Sequence, residues 1–128
     1  MSKADLSRRG LLIVSSAAAA IMLLGRAAQA HAHLASSIPA ANAVLDTAPA
    51  SLSLTFSEAI SLKFSGAVVT GPEKVAVKLG AAMLDPKSDK TLIVPISEPL
   101  KPGRYSVAWH NLSNDGHRLT GSFAFSVK

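Results

Sequence analysis

No cysteine occurs anywhere in the 128-residue chain. That excludes disulfides, on which small exported domains often rely, and it excludes thiolate ligands for a metal. No Gly-x-Ser-x-Gly nucleophile elbow is present, and no carboxylate pair stands out among the scattered acids, so nucleophilic and acid–base catalysis have no visible carrier. Long apolar runs are limited to one. Residues 11–25, LLIVSSAAAAIMLLG, fall short of the roughly 20 residues a membrane-spanning helix needs, and no second run follows.

The surroundings of that run explain it. MSKADLSRRG precedes it with charge and RAAQA closes it, with Ala28-Gln29-Ala30 as a small-x-small cleavage pattern. Together these are the three regions of a secretory signal. Ser7-Arg8-Arg9-Gly10-Leu11-Leu12 also fits a twin-arginine signal, and both export routes remain open. Either ends outside the cytoplasm. Residues 1–30 are thus expected to be removed, leaving residues 31–128 as one domain that begins at His31 and has no membrane anchor. Lys3, Arg8, Arg9, Arg26 and Asp5 leave with the signal. Thirteen basic and eight acidic residues become nine and seven, and the formal charge falls from +5 to +2. With no Lys/Arg cluster remaining, nucleic-acid binding is excluded.

What the remaining chain does have is alternation. Leu52, Leu54 and Phe56 are interleaved with Ser53 and Thr55. The same period of two recurs at Val75-Val77-Leu79, Leu92-Val94-Ile96, Tyr105-Val107-Trp109 and Phe123-Phe125-Val127, with Ala67-Val68-Val69 a weaker segment. Gly71-Pro72, Asp85-Pro86, Pro99 and Lys101-Pro102-Gly103 punctuate them as turns. About seven short strands and no helical period beyond a turn, such as one at Ala40–Leu45, predict an all-β chain. The expected architecture is a small antiparallel β-sandwich of immunoglobulin-like or cupredoxin-like kind.

Four histidines lie after residue 30: His31, His33, His110 and His117. In Ser113-Asn114-Asp115-Gly116-His117, Asp115 and His117 stand at i and i+2, on one face of extended backbone, with a glycine between them that lets the chain bend. Asp-Gly is also an ordinary turn pair. Cleavage after Ala30 would add a further donor, the α-amine of His31, which loses its proton far more readily than lysine. Amine and ring Nδ1 of His31 can chelate a metal, and His117 and Asp115 would complete four N/O ligands, a set that suits Cu(II). A second arrangement competes. The amine, the amide nitrogens of Ala32 and His33, and the ring of His33 could fill a square plane without Asp115 or His117.

The chain resembles the CopC family, small periplasmic copper-binding proteins built as a β-sandwich. The resemblance rests on His31-Ala32-His33-Leu34, Ser36-Ser37-Ile38-Pro39-Ala40, Leu54-Thr55-Phe56-Ser57-Glu58, Gly103 to Trp109, Ser113 to His117 and Gly121 to Phe125, in that order. It implies one Cu(II) per mature chain, held by His31 through amine and ring and by Asp115 and His117. His33 matches a position that is histidine in only some members. Glu58 matches an acid that would orient a ligand from behind, although a solvated acid in a strand-ending turn fits it equally. Trp109 is expected in the core and His110 on the opposite, exposed face. Some members carry a Cu(I) site rich in methionine. Here Met1 and Met22 leave with the signal and Met83 alone remains, which implies Cu(II) only. The implied role is a monomeric, non-catalytic carrier or buffer in copper homeostasis or resistance, with an inner-membrane importer of the CopD type as partner. The rival is a small copper oxidoreductase, because lytic polysaccharide monooxygenases also use an N-terminal histidine brace.

Overall fold

The computed structural model describes residues 32–128; the expected signal segment, residues 1–30, and His31 lie outside the described residues. Eight strands form two four-stranded sheets. β1 (Leu34–Ile38), β3 (Ser51–Phe56), β5 (Met83–Asp85) and β6 (Ser88–Pro95) make one sheet in the order β1-β3-β6-β5. β2 (Val44–Leu45), β4 (Gly66–Thr70), β7 (Gly103–Leu112) and β8 (Arg118–Val127) make the other in the order β2-β8-β7-β4. All pairings are antiparallel except the two-residue contact of β2 with β8, which is parallel.

The alternation read from the sequence becomes the core. Leu52, Leu54 and Phe56 of β3, Leu92 and Val94 of β6, Tyr105, Val107 and Trp109 of β7, and Phe125 and Val127 of β8 all point between the sheets. Side chains of period two on facing sheets interdigitate in this way because successive residues leave opposite faces of a strand. The rings lock the two ends of the core. Tyr105 stacks on Phe125 at 5.5 Å, and Trp109 meets Phe56 edge-on at 5.2 Å. Trp109 lies across Gly121, where a Cβ would come within 2.3 Å of the indole. Gly121→Ala is therefore expected to displace the ring and destabilise the domain by about 1–3 kcal/mol, the usual cost of overpacking, measurable by denaturant unfolding.

Four segments differ from expectation. Val75–Leu79 alternates but forms no regular strand. Glu73 and Lys74 take positive φ (63° and 61°), and the chain then crosses between sheets, bridging Thr70 to Ala76 and Leu79 to Ile96. Val77 and Leu79 pack against the core from that crossover. Ala40–Leu45 turns and then pairs with β8 as β2 instead of coiling into a helical turn. β1 and β5, whose apolar residues are too few to show a period, add strands that the alternation did not mark. Among the described residues no helix is long and apolar enough to cross a membrane.

Candidate metal centre

The inward row of β7 changes character at one end. After Tyr105, Val107 and Trp109 come Asn111 and Ser113, each 2% exposed and polar. Ser113 opens the turn to β8, and its backbone bridges to Ile60 on the facing segment. The turn is built by Ser113 N–H donating to the His117 carbonyl (2.8 Å) and Gly116 N–H donating to the Ser113 carbonyl (2.9 Å). Gly116 closes it at φ +93°, a conformation that a side chain would strain, so glycine is needed here for backbone reasons.

The turn brings Asp115 and His117 together. His117 Nδ1 lies 3.0 Å from Asp115 Oδ1, with both side chains about half exposed. Ser113 Oγ donates a short hydrogen bond to the same carboxylate oxygen, and the His117 N–H reaches Ser113 Oγ at 3.2 Å. The Ser113 hydroxyl, then the His117 ring, stabilise the ionised carboxylate and lower its pKa from 3.8 to about 2. Asp115 therefore favours the fold above the ordinary carboxylate range, and that contribution fades as pH falls toward 2. In the metal-free chain, a carbon-13 NMR titration should place the Asp115 midpoint near 2. Ser113→Ala should move it back toward 3.8, and an unchanged midpoint would show that the hydroxyl is not the cause.

Ala32, His33 and Glu58 lie on the side of the facing sheet, where the start of β1 lies beside the end of β3. Ala32 is fully buried, and its carbonyl accepts a 2.7 Å hydrogen bond from Asn111 Nδ2. His33 is exposed and engaged with Ser57: its N–H donates to Ser57 Oγ (3.1 Å), its Nδ1 lies 3.2 Å from that oxygen, and its carbonyl accepts the Ser57 N–H at 2.9 Å. A square-planar site using the His33 amide would have to break the first of these bonds. Glu58 is exposed on the adjoining turn. His110 is exposed on the outer face of β7, its ring against Gly66.

Among the described residues, no three His, Cys, Asp or Glu side chains gather into a metal-binding group. Asp115 and His117 do meet, His33 does not join them, and His31 lies outside the described residues. Three residues emerge that motif reading did not single out: Ser113, which holds Asp115; Ser57, which holds His33; and Asn111, which holds Ala32. The signal was there in part, because the period of β7 puts two polar residues at inward positions. A cleft of about 420 Å³ lined by Pro72, Val77, Leu100 and Tyr105 lies at the other end of β7 and includes no histidine. Tyr105 and Ser113 are eight residues apart on extended chain, roughly 26 Å by strand rise. The cleft is therefore remote from Asp115. A lone ion needs converging donors more than it needs a cavity.

Comparison with known proteins agrees with this architecture. Protein YobA of Escherichia coli strain K12 is 48% identical over 99 residues, covering 77% of this chain and 80% of that protein. Copper resistance protein C of Escherichia coli is 40% identical over 118 residues, covering 84% of this chain and 90% of that protein. The crystal structure of PcoC, a methionine-rich copper resistance protein from Escherichia coli, superposes with a TM-score of 0.70 at 35% identity, covering 77% of this chain and all of that one. The CopC domain model matches residues 34–128, which take in all eight strands and the Ser113–His117 turn. The chain belongs to the CopC family.

Proposed function

We propose that this chain, cut after Ala30, is a periplasmic Cu(II)-binding protein that carries or buffers one copper ion in copper homeostasis or resistance. The observation that carries the reading is the Asp115–His117 pair, held at 3.0 Å on a turn that Ser113 and Gly116 shape. A carboxylate bonded to one ring nitrogen of a histidine is the usual way of orienting the other nitrogen toward a metal. Coordination by His117 through Nε2, with Asp115 giving its second oxygen, would supply half of a tetragonal N/O set. The amine and Nδ1 of His31 would supply the rest, and such a set suits Cu(II). Metal binding to these donors competes with protons, so copper is held less well in acid.

The engagement of the His33 amide with Ser57 favours this brace over the terminal square plane. Glu58, exposed on the turn after β3, would orient a ligand from behind. Met83 is 47% exposed on β5, and no second methionine follows residue 30, so thioether ligation of Cu(I) has no donor set here. The methionine-rich PcoC differs in that respect. The carrier would act as a monomer, with an importer of the CopD type as its delivery partner, and without catalysis.

Electron paramagnetic resonance of the Cu(II) form tests the ligand set. His33→Ala should leave the spectrum close to wild type and His117→Ala should change it. The reverse pattern would replace the brace with the terminal square plane.

A further inference from the structure

Asn111 has an environment that its place in the strand does not explain. It continues the inward row of β7 and is 2% exposed. Burying a side-chain amide is costly unless both of its polar ends find partners. Here only one does. Nδ2 donates to the Ala32 carbonyl at 2.7 Å, across 79 residues of sequence. Oδ1, equally buried, has no hydrogen-bond partner among the described residues. Leucine would fill nearly the same volume without leaving an acceptor unmet, so an asparagine here calls for a donor.

We infer that Asn111 is the positioning residue for the N-terminal ligand. Its Nδ2 anchors Ala32, the residue that follows the N-terminal ligand in sequence, and its buried Oδ1 stands as an unmet acceptor beside that anchor. The inference rests on the brace reading above. The arrangement also joins the two halves of the ligand set mechanically. β7 carries Asn111, and Ser113, which holds the carboxylate of Asp115, opens the turn directly after the strand. One strand end thus fixes both the turn ligands and the first residue behind the amine. A chain terminus held in this way has less freedom to lose when the metal binds, which is the general gain from preorganisation.

The test uses the full chain expressed in cells, exported, processed and recovered, with a His31 terminus confirmed by mass. Asn111→Leu, Asn111→Asp and His117→Ala are compared with wild type by Cu(II) titration against a competing chelator, by electron paramagnetic resonance, and by melting of the metal-free form. The expected result for the Asn111 variants is a Kd raised about 10–100-fold, the usual effect of losing a residue that orients a ligand, with a shifted Cu(II) spectrum in a protein that still melts cooperatively. A folded Asn111 variant with wild-type Kd and spectrum would reduce the residue to a structural tie and overturn the inference. Should Asn111→Leu fail to fold, Asn111→Asp keeps the shape, loses the donor to Ala32 and carries the comparison. The His117→Ala arm separates the two levels. If it too leaves Kd and spectrum unchanged, the brace itself falls; if it alone changes them, only the role of Asn111 falls.

Discussion

Replacing His117 with alanine is expected to weaken Cu(II) binding by more than about 100-fold, equivalent to more than about 2.7 kcal/mol. The reasoning runs from the turn outward. His117 is the one imidazole whose ring is oriented by a carboxylate among the described hydrogen bonds and ion pairs, and that carboxylate is itself held by Ser113. Losing an orienting group alone typically costs 10–100-fold in metal affinity, so losing the oriented ligand should cost more. The fold should not follow. The side chain is 54% exposed at the tip of a hairpin, and surface substitutions of that kind stay within about 0.5 kcal/mol. Titration with Cu(II) should therefore show the loss while the metal-free protein melts as before. Equal Kd values for wild type and His117→Ala would remove the turn from the site.

Extending the mature chain by a single glycine before His31 is expected to be as damaging, although it alters no side chain. The extension turns the His31 amine into a peptide nitrogen, whose lone pair is delocalised and which gives a metal nothing at neutral pH without losing its own proton. The chelate then loses one of its two arms and binding falls by about 100-fold or more, because the second donor of a chelate acts at high effective concentration only while both are present. Under the proposed cut and brace, an uncut precursor would lack the amine, and copper binding would follow export. A glycine-extended protein that binds Cu(II) with wild-type affinity and an unchanged spectrum would show that the amine is not a ligand.

Both experiments address groups that could be named from the chain alone, and the reason is local. A cleavage pattern, a D-x-H at a turn and an alternating strand are each written within a few consecutive residues. Alternation at Leu52–Phe56, Leu92–Val94 and Tyr105–Trp109 was enough to anticipate two packed sheets, because the period of a strand decides which side chains face the core. The same rule misread Val75–Leu79. Val77 and Leu79 are partly buried, but at a crossover between sheets where no ladder of hydrogen bonds forms, and Val75 is exposed.

The partners of the candidate ligands were not legible in that way. That polar residues occupy inward positions 111, in β7, and 113, just past its end, follows from the period of the strand. What they hold does not, because Asn111 meets Ala32 only after the strands between them have paired and the sheets have closed. Nor does sequence spacing say that the Asp115 carboxylate is taken up by both Ser113 and His117, or that His33 turns to Ser57 instead of joining them. The sequence by itself determined the strand periods and the kinds of donor atoms available, since these depend on neighbours along the chain. Only the tertiary structure decided which donors are held and by what, since hydrogen bonds between residues far apart in sequence exist only once packing has brought them within about 3 Å.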